Sequence, residues 1–202
     1  MIVARGRVRL RGRGRVVRFD REKHHRRSIR LPGYNYTQPG AYFVTVCAHG
    51  RECLFGEIVD AKMALNQYGR VVARCWEQLN REYARVKLDR WVVMPNHLHG
   101  IIAIDVIGRG GSRTAPTTDM DEPKPLGRLV GSFKTVSTKQ INILRGTPST
   151  LLWQRNYYER IIRDDDELDR IRCYIEDNPA MWEMDRENPE AQTATDRESW
   201  QL

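Results

Sequence analysis

The sequence predicts an α+β domain in which one antiparallel sheet is covered by helices. Short runs of β-branched and aromatic residues alternate with longer segments whose apolar residues recur at helical spacing. Two of the short runs are separated only by the turn residues Pro95 and Asn96, which is typical of an antiparallel hairpin. In chain order the elements are strand, helix, hairpin, helix, strand and helix. The ferredoxin-like arrangement is the simplest fold with that order.

The first strand and the first helix are predicted between residues 41 and 83. Residues 41–47 (AYFVTVC) are mostly β-branched or aromatic and are bounded by Pro-Gly and His-Gly pairs, which is typical of a strand. Asn66 is a suitable helix N-cap for the segment that follows. The apolar positions of this helix are Val72, Cys75, Trp76, Leu79 and Tyr83. Their helical spacing indicates that one face packs on the sheet.

A hairpin and a second helix follow. Residues 90–94 (RWVVM) and 97–105 (HLHGIIAID) are the two apolar runs of the predicted hairpin. Residues 108–125 are rich in Gly, Pro, Thr and acidic side chains without any period, which predicts a flexible loop within the domain. The helix after the loop has apolar side chains at Leu126, Leu129, Val130, Phe133, Val136, Ile141 and Leu144.

A last strand and a third helix complete the predicted domain. Residues 151–158 form a short strand-like stretch. Asp164 and Glu167 match a capping box, and the aspartates that follow suit the positive end of a helix dipole. The apolar stripe of this helix consists of Leu168, Ile171 and Ile175. Pro179 marks its end.

The charge is distributed unevenly along the chain. The 202 residues contain 34 Lys and Arg against 26 Asp and Glu, a net charge of +8. Residues 1–30 contain 12 basic and 2 acidic side chains, so this segment carries +10 and the remainder −2. We therefore expect residues 1–25 to be a disordered Arg-rich arm, either a phosphate-binding tail or a non-essential extension. Residues 26–185 are expected to form the domain and residues 186–202 a polar tail.

No apolar run approaches the length of a membrane helix, and the start of the chain lacks the apolar stretch of a secretory signal. We therefore expect a soluble cytoplasmic protein without membrane partners. The four cysteines lack the spacing of a zinc ribbon and do not suggest a disulfide framework.

Two histidines and a helical pair could carry chemistry. His97 and His99 are two apart in a predicted strand, so both imidazoles leave the same face, with Cα atoms about 7 Å apart. They could bind one divalent cation, or they could be ordinary half-exposed strand histidines. Tyr174 and Asn178 are spaced i, i+4 and share a helix face. A phenol is a potential nucleophile and an amide oxygen a ligand for Mg or Mn, although a core tyrosine and a helix cap would show the same spacing.

Several separated blocks together resemble the REP-associated tyrosine transposases, relatives of the single-tyrosine HUH transposases of bacterial insertion sequences. The blocks are RRSIRLPGYNYTQPGAYFVTVC (26–47), VVMPNHLHGIIAI (92–104), LVGSFK (129–134), WQRNYYERIIR (153–163) and DRIRCYIEDNP (169–179). The resemblance implies that residues 26–185 are an HUH tyrosine transposase domain with a ferredoxin-like fold. It further implies that His97, His99 and Asn178 are the metal ligands, with Mg or Mn as cofactor, and that Tyr174 is the nucleophile.

The resemblance also implies a substrate and a reaction. The substrate would be single-stranded DNA with a palindromic hairpin, cut and rejoined through a 5′-phosphotyrosine. Candidates for phosphate neutralisation are Arg128, Lys134, Lys139, Arg155, Arg160, Arg163 and Arg172. Candidates for base stacking are Trp153, Tyr157 and Tyr158. Tyr157 and Tyr158 are also rival nucleophiles, but neither has a ligand-type residue one turn away in a clear helix.

The leading hypothesis is therefore a nicking and strand-joining enzyme of DNA transposition and recombination, cytoplasmic and nucleoid-associated in a bacterium, active as a monomer or homodimer. Two alternatives remain open at this point. One is a non-catalytic binder of hairpin nucleic acid, and the other is a metal-dependent phosphodiesterase that uses water as its nucleophile.

Overall fold

The computed structural model describes residue 36 and residues 38–105 and 124–191. The strands are β1 (Gly40–Cys47), β2 (Gly56–Val59), β3 (Lys62–Leu65), β4 (Val86–Val93), β5 (His97–Ile104) and β6 (Tyr158–Ile162). The helices are α1 (Gln67–Glu82), α2 (Leu126–Leu144) and α3 (Asp165–Asp177), with single 3-10 turns at His49–Arg51 and Trp182–Met184.

Four of the strands form one antiparallel sheet in the order β4-β5-β1-β6. Strands β2 and β3 form a separate hairpin. Without this hairpin, the chain order and the sheet order are those of the ferredoxin-like arrangement, so the predicted fold class is confirmed. On the central strand β1, Thr45 is paired with His99 on one side and with Tyr158 on the other.

The sheet has a large core on one face and a small one on the other. The large core packs α1 and α2 against side chains such as Val44, Leu98 and Ile102. The small core packs Ile175 of α3 against Phe43 and Ile101. Because side chains alternate along a strand, β5 places Leu98 and Ile102 in the large core and His97, His99 and Ile101 on the face covered by α3.

Both predicted helix starts are confirmed. The Asn66 side chain accepts hydrogen bonds from the backbone N–H groups of Tyr68 and Gly69, at 2.8 and 3.0 Å. Asp164 accepts from the N–H of Glu167 at 2.7 Å. The reciprocal half of the capping box is displaced by one residue, because the Glu167 carboxylate accepts from the N–H of Arg163. These bonds satisfy N–H groups that a helix start would otherwise leave unpaired.

The last strand lies further along the chain than the predicted stretch at residues 151–158. It lies at Tyr158–Ile162, and within residues 151–158 only Trp153 forms an isolated bridge, to Ala48. Leu152 and Trp153 are buried because they belong to the large core, where the indole N–H of Trp153 donates to Ser137 of α2 at 2.9 Å. An apolar run such as Leu152 and Trp153 has the same pattern whether a helix or a neighbouring strand buries it, so the sequence indicated a strand here.

Two further strand features differ from the expectation. Strand β4 begins at Val86 rather than Arg90, and its pairing with β5 is interrupted by an irregularity between Leu88 and Trp91, which breaks the simple alternation. The β2–β3 hairpin was not predicted. Its turn residues Asp60 and Ala61 have φ values of 50° and 58°, so the turn lacks the glycine that usually marks such a conformation.

Several expectations fall on residues outside the described ranges. The proposed arm at residues 1–25 lies there entirely, and the proposed loop at residues 108–125 lies there except for its last two residues. Residues 186–191 of the proposed polar tail are described, and Asn188 among them is buried and donates to the carbonyl of Trp182. No described helix is long and apolar enough to cross a membrane.

Replacing Gly100 by Ala should destabilise the protein. A Cβ at this position of β5 would lie 2.5 Å from Cζ2 of Trp76, a fully buried ring of the large core. We expect the free energy of unfolding to fall by about 1–3 kcal/mol, the usual cost of overpacking a core. Denaturant unfolding measures the change.

The matched control is Gly131→Ala in α2, where a Cβ would meet nothing within 4 Å. There the exchange should raise the free energy of unfolding by up to about 1 kcal/mol, because glycine is a poor helix former. Equal effects at the two positions would contradict the close contact between Trp76 and the sheet.

Candidate active site

His97 and His99 meet on the face of the sheet below α3. Their Nε2 atoms are 3.0 Å apart, and the two residues are 0% and 3% exposed. Nδ1 of His97 contacts Asn96 Oδ1, and Nδ1 of His99 contacts Thr45 Oγ1, both at 2.8 Å. Burial lowers the pKa of His97 to about 4, an effect that Asp185 partly opposes. Burial and the neighbouring His97 lower the pKa of His99 well below its ordinary value. Both rings are therefore neutral at pH 7, the form that binds metals.

Asp185 completes a cluster of metal-ligand type. Its Oδ2 atom is 3.8 Å from Nε2 of His97, and its Oδ1 atom accepts a hydrogen bond from the N–H of Glu187 at 2.7 Å. The ligand atoms of His97, His99 and Asp185 all lie within 4.8 Å of one another. The sequence carried no signal for Asp185. It follows the 3-10 turn Trp182–Met184, and only the fold returns this segment to the histidines.

Tyr174 and Asn178 reach the same place from α3. The Tyr174 hydroxyl is 3.3 Å from Nε2 of His99, and its side chain is half-exposed. Burial and the charge of Asp185 raise the pKa of the Tyr174 phenol, while a hydrogen bond from Asn178 lowers it. Asn178 is 4% exposed, and its Oδ1 atom has no hydrogen-bond partner among the described residues. The structure thus brings His97, His99 and Tyr174 into contact, and Asn178 joins them through its hydrogen bond to Tyr174.

These side chains fit a divalent cation. They offer two neutral imidazole nitrogens, one carboxylate oxygen and one buried amide oxygen that lacks a partner within the described part of the chain. A buried polar atom without a partner is costly, and a cation would satisfy the Asn178 oxygen. A mixed set of nitrogen and hard oxygen donors suits Mn²⁺ and, with phosphate oxygens added, Mg²⁺.

Aromatic rings line the floor of the site. Phe43 stacks on His99, with ring centroids 5.4 Å apart, and the rings of Tyr174 and Tyr158 meet it edge-on at 6.0 and 6.2 Å. Tyr158 is 47% exposed, so its side chain is accessible to a ligand. Trp153 is a core residue, and its expected role in base stacking is therefore wrong. Tyr157 is half-buried against the Lys134 ammonium, which lies 5.5 Å from the centre of its ring.

The basic candidates for DNA contact divide into two groups. Arg160 is paired with Glu167, and Arg172 with Asp89 and Asp169, so these guanidinium groups have structural partners. Among the described residues, no carboxylate forms an ion pair with the members of the second group, which are Arg128, Lys139, Arg155 and Arg163. The second group is therefore the better placed to neutralise phosphate.

Lys134 belongs to the first group because its ammonium group donates hydrogen bonds to backbone carbonyls of the protein. Its Nζ atom donates to the carbonyls of Gln154 and Asn156, both at 2.9 Å, and contacts that of Arg155 at 3.4 Å. Burial lowers the pKa of Lys134 to about 8. This lysine holds the segment that leads into β6 and thereby helps to place Tyr158.

Replacing Lys134 by Met should lower the free energy of unfolding by about 1–3 kcal/mol, because the carbonyls of this segment lose their donor. The control is Lys139→Met on the exposed side of the same helix. It should change stability by less than about 0.5 kcal/mol. It should instead make DNA binding less sensitive to salt. The slope of the logarithm of the binding constant against the logarithm of the salt concentration should fall in magnitude by about 0.7–0.9, as expected for one phosphate contact. Denaturant unfolding and a salt titration of binding separate the two outcomes.

Fold and site together define a ferredoxin-like α+β protein with a His-x-His pair opposite a tyrosine borne on a helix. No protein-family model matches the chain. It is 41% identical over 177 residues to a Haemophilus influenzae protein described as uncharacterized, a match that covers 85% of this chain and 97% of that protein. The chain belongs to the same protein family as the Haemophilus protein.

A solved structure has a similar fold. It is a REP-associated tyrosine transposase bound to a REP hairpin, and its TM-score with this chain is 0.50. The two are 20% identical, and the match covers 73% of this chain and 70% of the other. The resemblance to REP-associated tyrosine transposases is thereby confirmed at the level of the fold.

Proposed function

We propose that the protein is a metal-dependent transposase-type nuclease that cuts and rejoins single-stranded hairpin DNA through a covalent bond to Tyr174. The observation that carries the proposal is the position of the Tyr174 hydroxyl, 3.3 Å from His99 within the cluster of His97, His99 and Asp185. A half-exposed phenol beside a set of metal ligands is suited to attack a phosphodiester. In this proposal His97, His99 and Asn178 hold the cation, and Asp185 is a further ligand.

The chain's own residues account for most of the chemistry. Tyr174 Oη forms a bond to phosphorus while the bond from phosphorus to the 3′ oxygen breaks, and the proton lost by the phenol balances the proton gained by the 3′-hydroxyl. A 5′-phosphotyrosine results, and attack by a 3′-hydroxyl reverses the step and joins strands. A bound divalent cation would supply positive charge to the scissile phosphate and to the nearby phenol, whose pKa is otherwise raised by burial.

The surroundings of the site support a single-stranded DNA substrate. Tyr158 offers an exposed side chain on β6, which β1 separates from the strand of the histidines, and this suits stacking of an unpaired base. Basic residues such as Arg155 and Arg163 flank β6 on either side and could neutralise the strand. The structure of similar fold was solved with a REP hairpin, which supports hairpin DNA as the first substrate to test.

The ligands and the tyrosine of the site come from one chain. This supports a monomer as the catalytic unit, with a homodimer as the alternative. The test measures the cleavage rate per chain over a series of protein concentrations, and gel filtration gives the oligomeric state at each concentration. A site that depends on a dimer loses specific activity on dilution.

The decisive experiment is denaturing electrophoresis of the full chain after incubation with labelled hairpin DNA and Mn²⁺. We expect part of the label to migrate with the protein and to be released by protease. Binding without any cleavage would support a hairpin-binding protein instead. Cleavage without label on the protein would support a phosphodiesterase that uses water.

A further inference from the structure

Asn96 is a buried residue that contacts both the histidine pair and the segment that carries Asp185. It lies in the turn between β4 and β5 and is 0% exposed. Its Nδ2 atom donates to the backbone carbonyl of Arg51 at 3.0 Å and to that of Glu187 at 2.7 Å. Its Oδ1 atom lies 2.8 Å from Nδ1 of His97. Both ends of the amide therefore have partners inside the protein.

These partners fix the direction of the amide. A backbone carbonyl only accepts hydrogen bonds, so the end that faces Arg51 and Glu187 must be the NH₂ group. The amide oxygen then faces His97, and because this oxygen also only accepts, Nδ1 of His97 must carry a hydrogen. In the neutral ring, Nε2 of His97 is left with a bare lone pair. That atom is the one directed at His99 and Asp185.

The same amide is linked to the Asp185 carboxylate through one residue. Glu187 accepts from Asn96 through its carbonyl and donates from its N–H to Oδ1 of Asp185 at 2.7 Å. Because Oδ1 is held in this way, Oδ2 is the oxygen that faces Nε2 of His97, at 3.8 Å. Asn96 thus acts on two candidate ligands that are 88 positions apart in the chain.

We propose that Asn96 is the positioning residue of the metal centre. Its oxygen fixes the His97 tautomer and its nitrogen holds the segment of Asp185, so that a nitrogen lone pair and a carboxylate oxygen meet at one point. The inference rests on the metal site of the proposed function, but it requires neither Tyr174 nor DNA. Partners of this kind orient metal-binding histidines, and their loss typically weakens metal affinity.

The first test uses the unaltered chain without metal. Heteronuclear NMR of the imidazole nitrogens at neutral pH should show the hydrogen of His97 on Nδ1 and a bare Nε2. A hydrogen on Nε2 would overturn the proposal. This measurement needs no variant and does not depend on activity.

The second test compares Mn²⁺ binding by calorimetry. Asn96→Ala should weaken binding about 10- to 100-fold and mix the His97 tautomers. Asn96→Asp keeps an acceptor for His97 and should keep its tautomer, although the donor to Glu187 is lost. The matched control is Asn142→Ala in α2, which removes a buried amide with the same kind of contacts, to the Thr150 carbonyl and to Arg145. It should leave Mn²⁺ affinity unchanged.

The outcomes separate this inference from the proposed function. Unchanged Mn²⁺ affinity in a folded Asn96→Ala protein overturns the inference, and if that variant does not fold, the tautomer in the unaltered chain and in Asn96→Asp decides. If the unaltered chain binds no Mn²⁺, both proposals fail. If binding depends on Asn96 but no adduct forms on hairpin DNA, only the proposed function fails.

Discussion

Replacing Tyr174 by Phe is expected to abolish the covalent protein–DNA adduct while leaving the fold and Mn²⁺ binding intact. The exchange removes only the hydroxyl, which lies 3.3 Å from His99, and keeps the ring that meets Phe43 edge-on at 6.0 Å. Without the oxygen no phosphotyrosine can form. Denaturing electrophoresis with labelled hairpin DNA measures the adduct, and thermal unfolding checks the fold.

The chain offers a closely matched control in Tyr158→Phe. Tyr158 and Tyr174 are 47% and 48% exposed, and both rings contact Phe43 on the same face of the sheet. Tyr158→Phe should retain the adduct, because its hydroxyl has no role in the proposed step. An adduct that survives in Tyr174→Phe and disappears in Tyr158→Phe would reverse the assignment of the nucleophile. Cleavage that continues in Tyr174→Phe without an adduct would indicate a water nucleophile.

The second large effect is expected at the histidines. His97→Ala and His99→Ala should each lower Mn²⁺ affinity by more than about 100-fold. Loss of a residue that only orients a ligand typically costs up to about 100-fold, and these exchanges remove a ligand itself. Formation of the adduct should fall below detection at the same Mn²⁺ concentration. Calorimetry and the electrophoretic assay give the two readouts.

His49→Ala provides the comparison, because His49 is exposed and lies in the 3-10 turn after β1. Its removal should change neither Mn²⁺ affinity nor the adduct. Full Mn²⁺ binding in His97→Ala and His99→Ala would show that the cluster on β5 is not the metal site. Circular dichroism of each variant distinguishes loss of a ligand from loss of the fold.

Local patterns in the sequence predicted the elements that place these residues. The N-caps Asn66 and Asp164, the strand that carries His97 and the helix that carries Tyr174 were all predicted. Each depends on hydrogen bonds or periodicity within a few residues, so the sequence contains the whole signal. The same reasoning failed for Leu152 and Trp153, because an apolar run does not reveal which element will cover it.

The resemblance to a known family added the assignment of roles. Alternation along β5 shows that His97 and His99 share a face, and the i, i+4 spacing shows that Tyr174 and Asn178 do. Neither relation shows that the two faces meet. The five blocks of resemblance supplied that expectation, and the sheet order, with α3 packed against Phe43 and Ile101, supplies the contact.

The sequence by itself determined the fold class, the histidine pair on one face of a strand and the tyrosine on one face of a helix. Only the tertiary structure decided that Asp185 joins the histidines, that Asn96 orients His97, and that Lys134, Arg160 and Arg172 have partners within the protein. The physical reason is the distance along the chain over which each kind of interaction acts. Helical and strand periodicity acts between near neighbours in the chain, whereas desolvation, ion pairing and hydrogen-bond orientation depend on groups that folding brings together from distant positions.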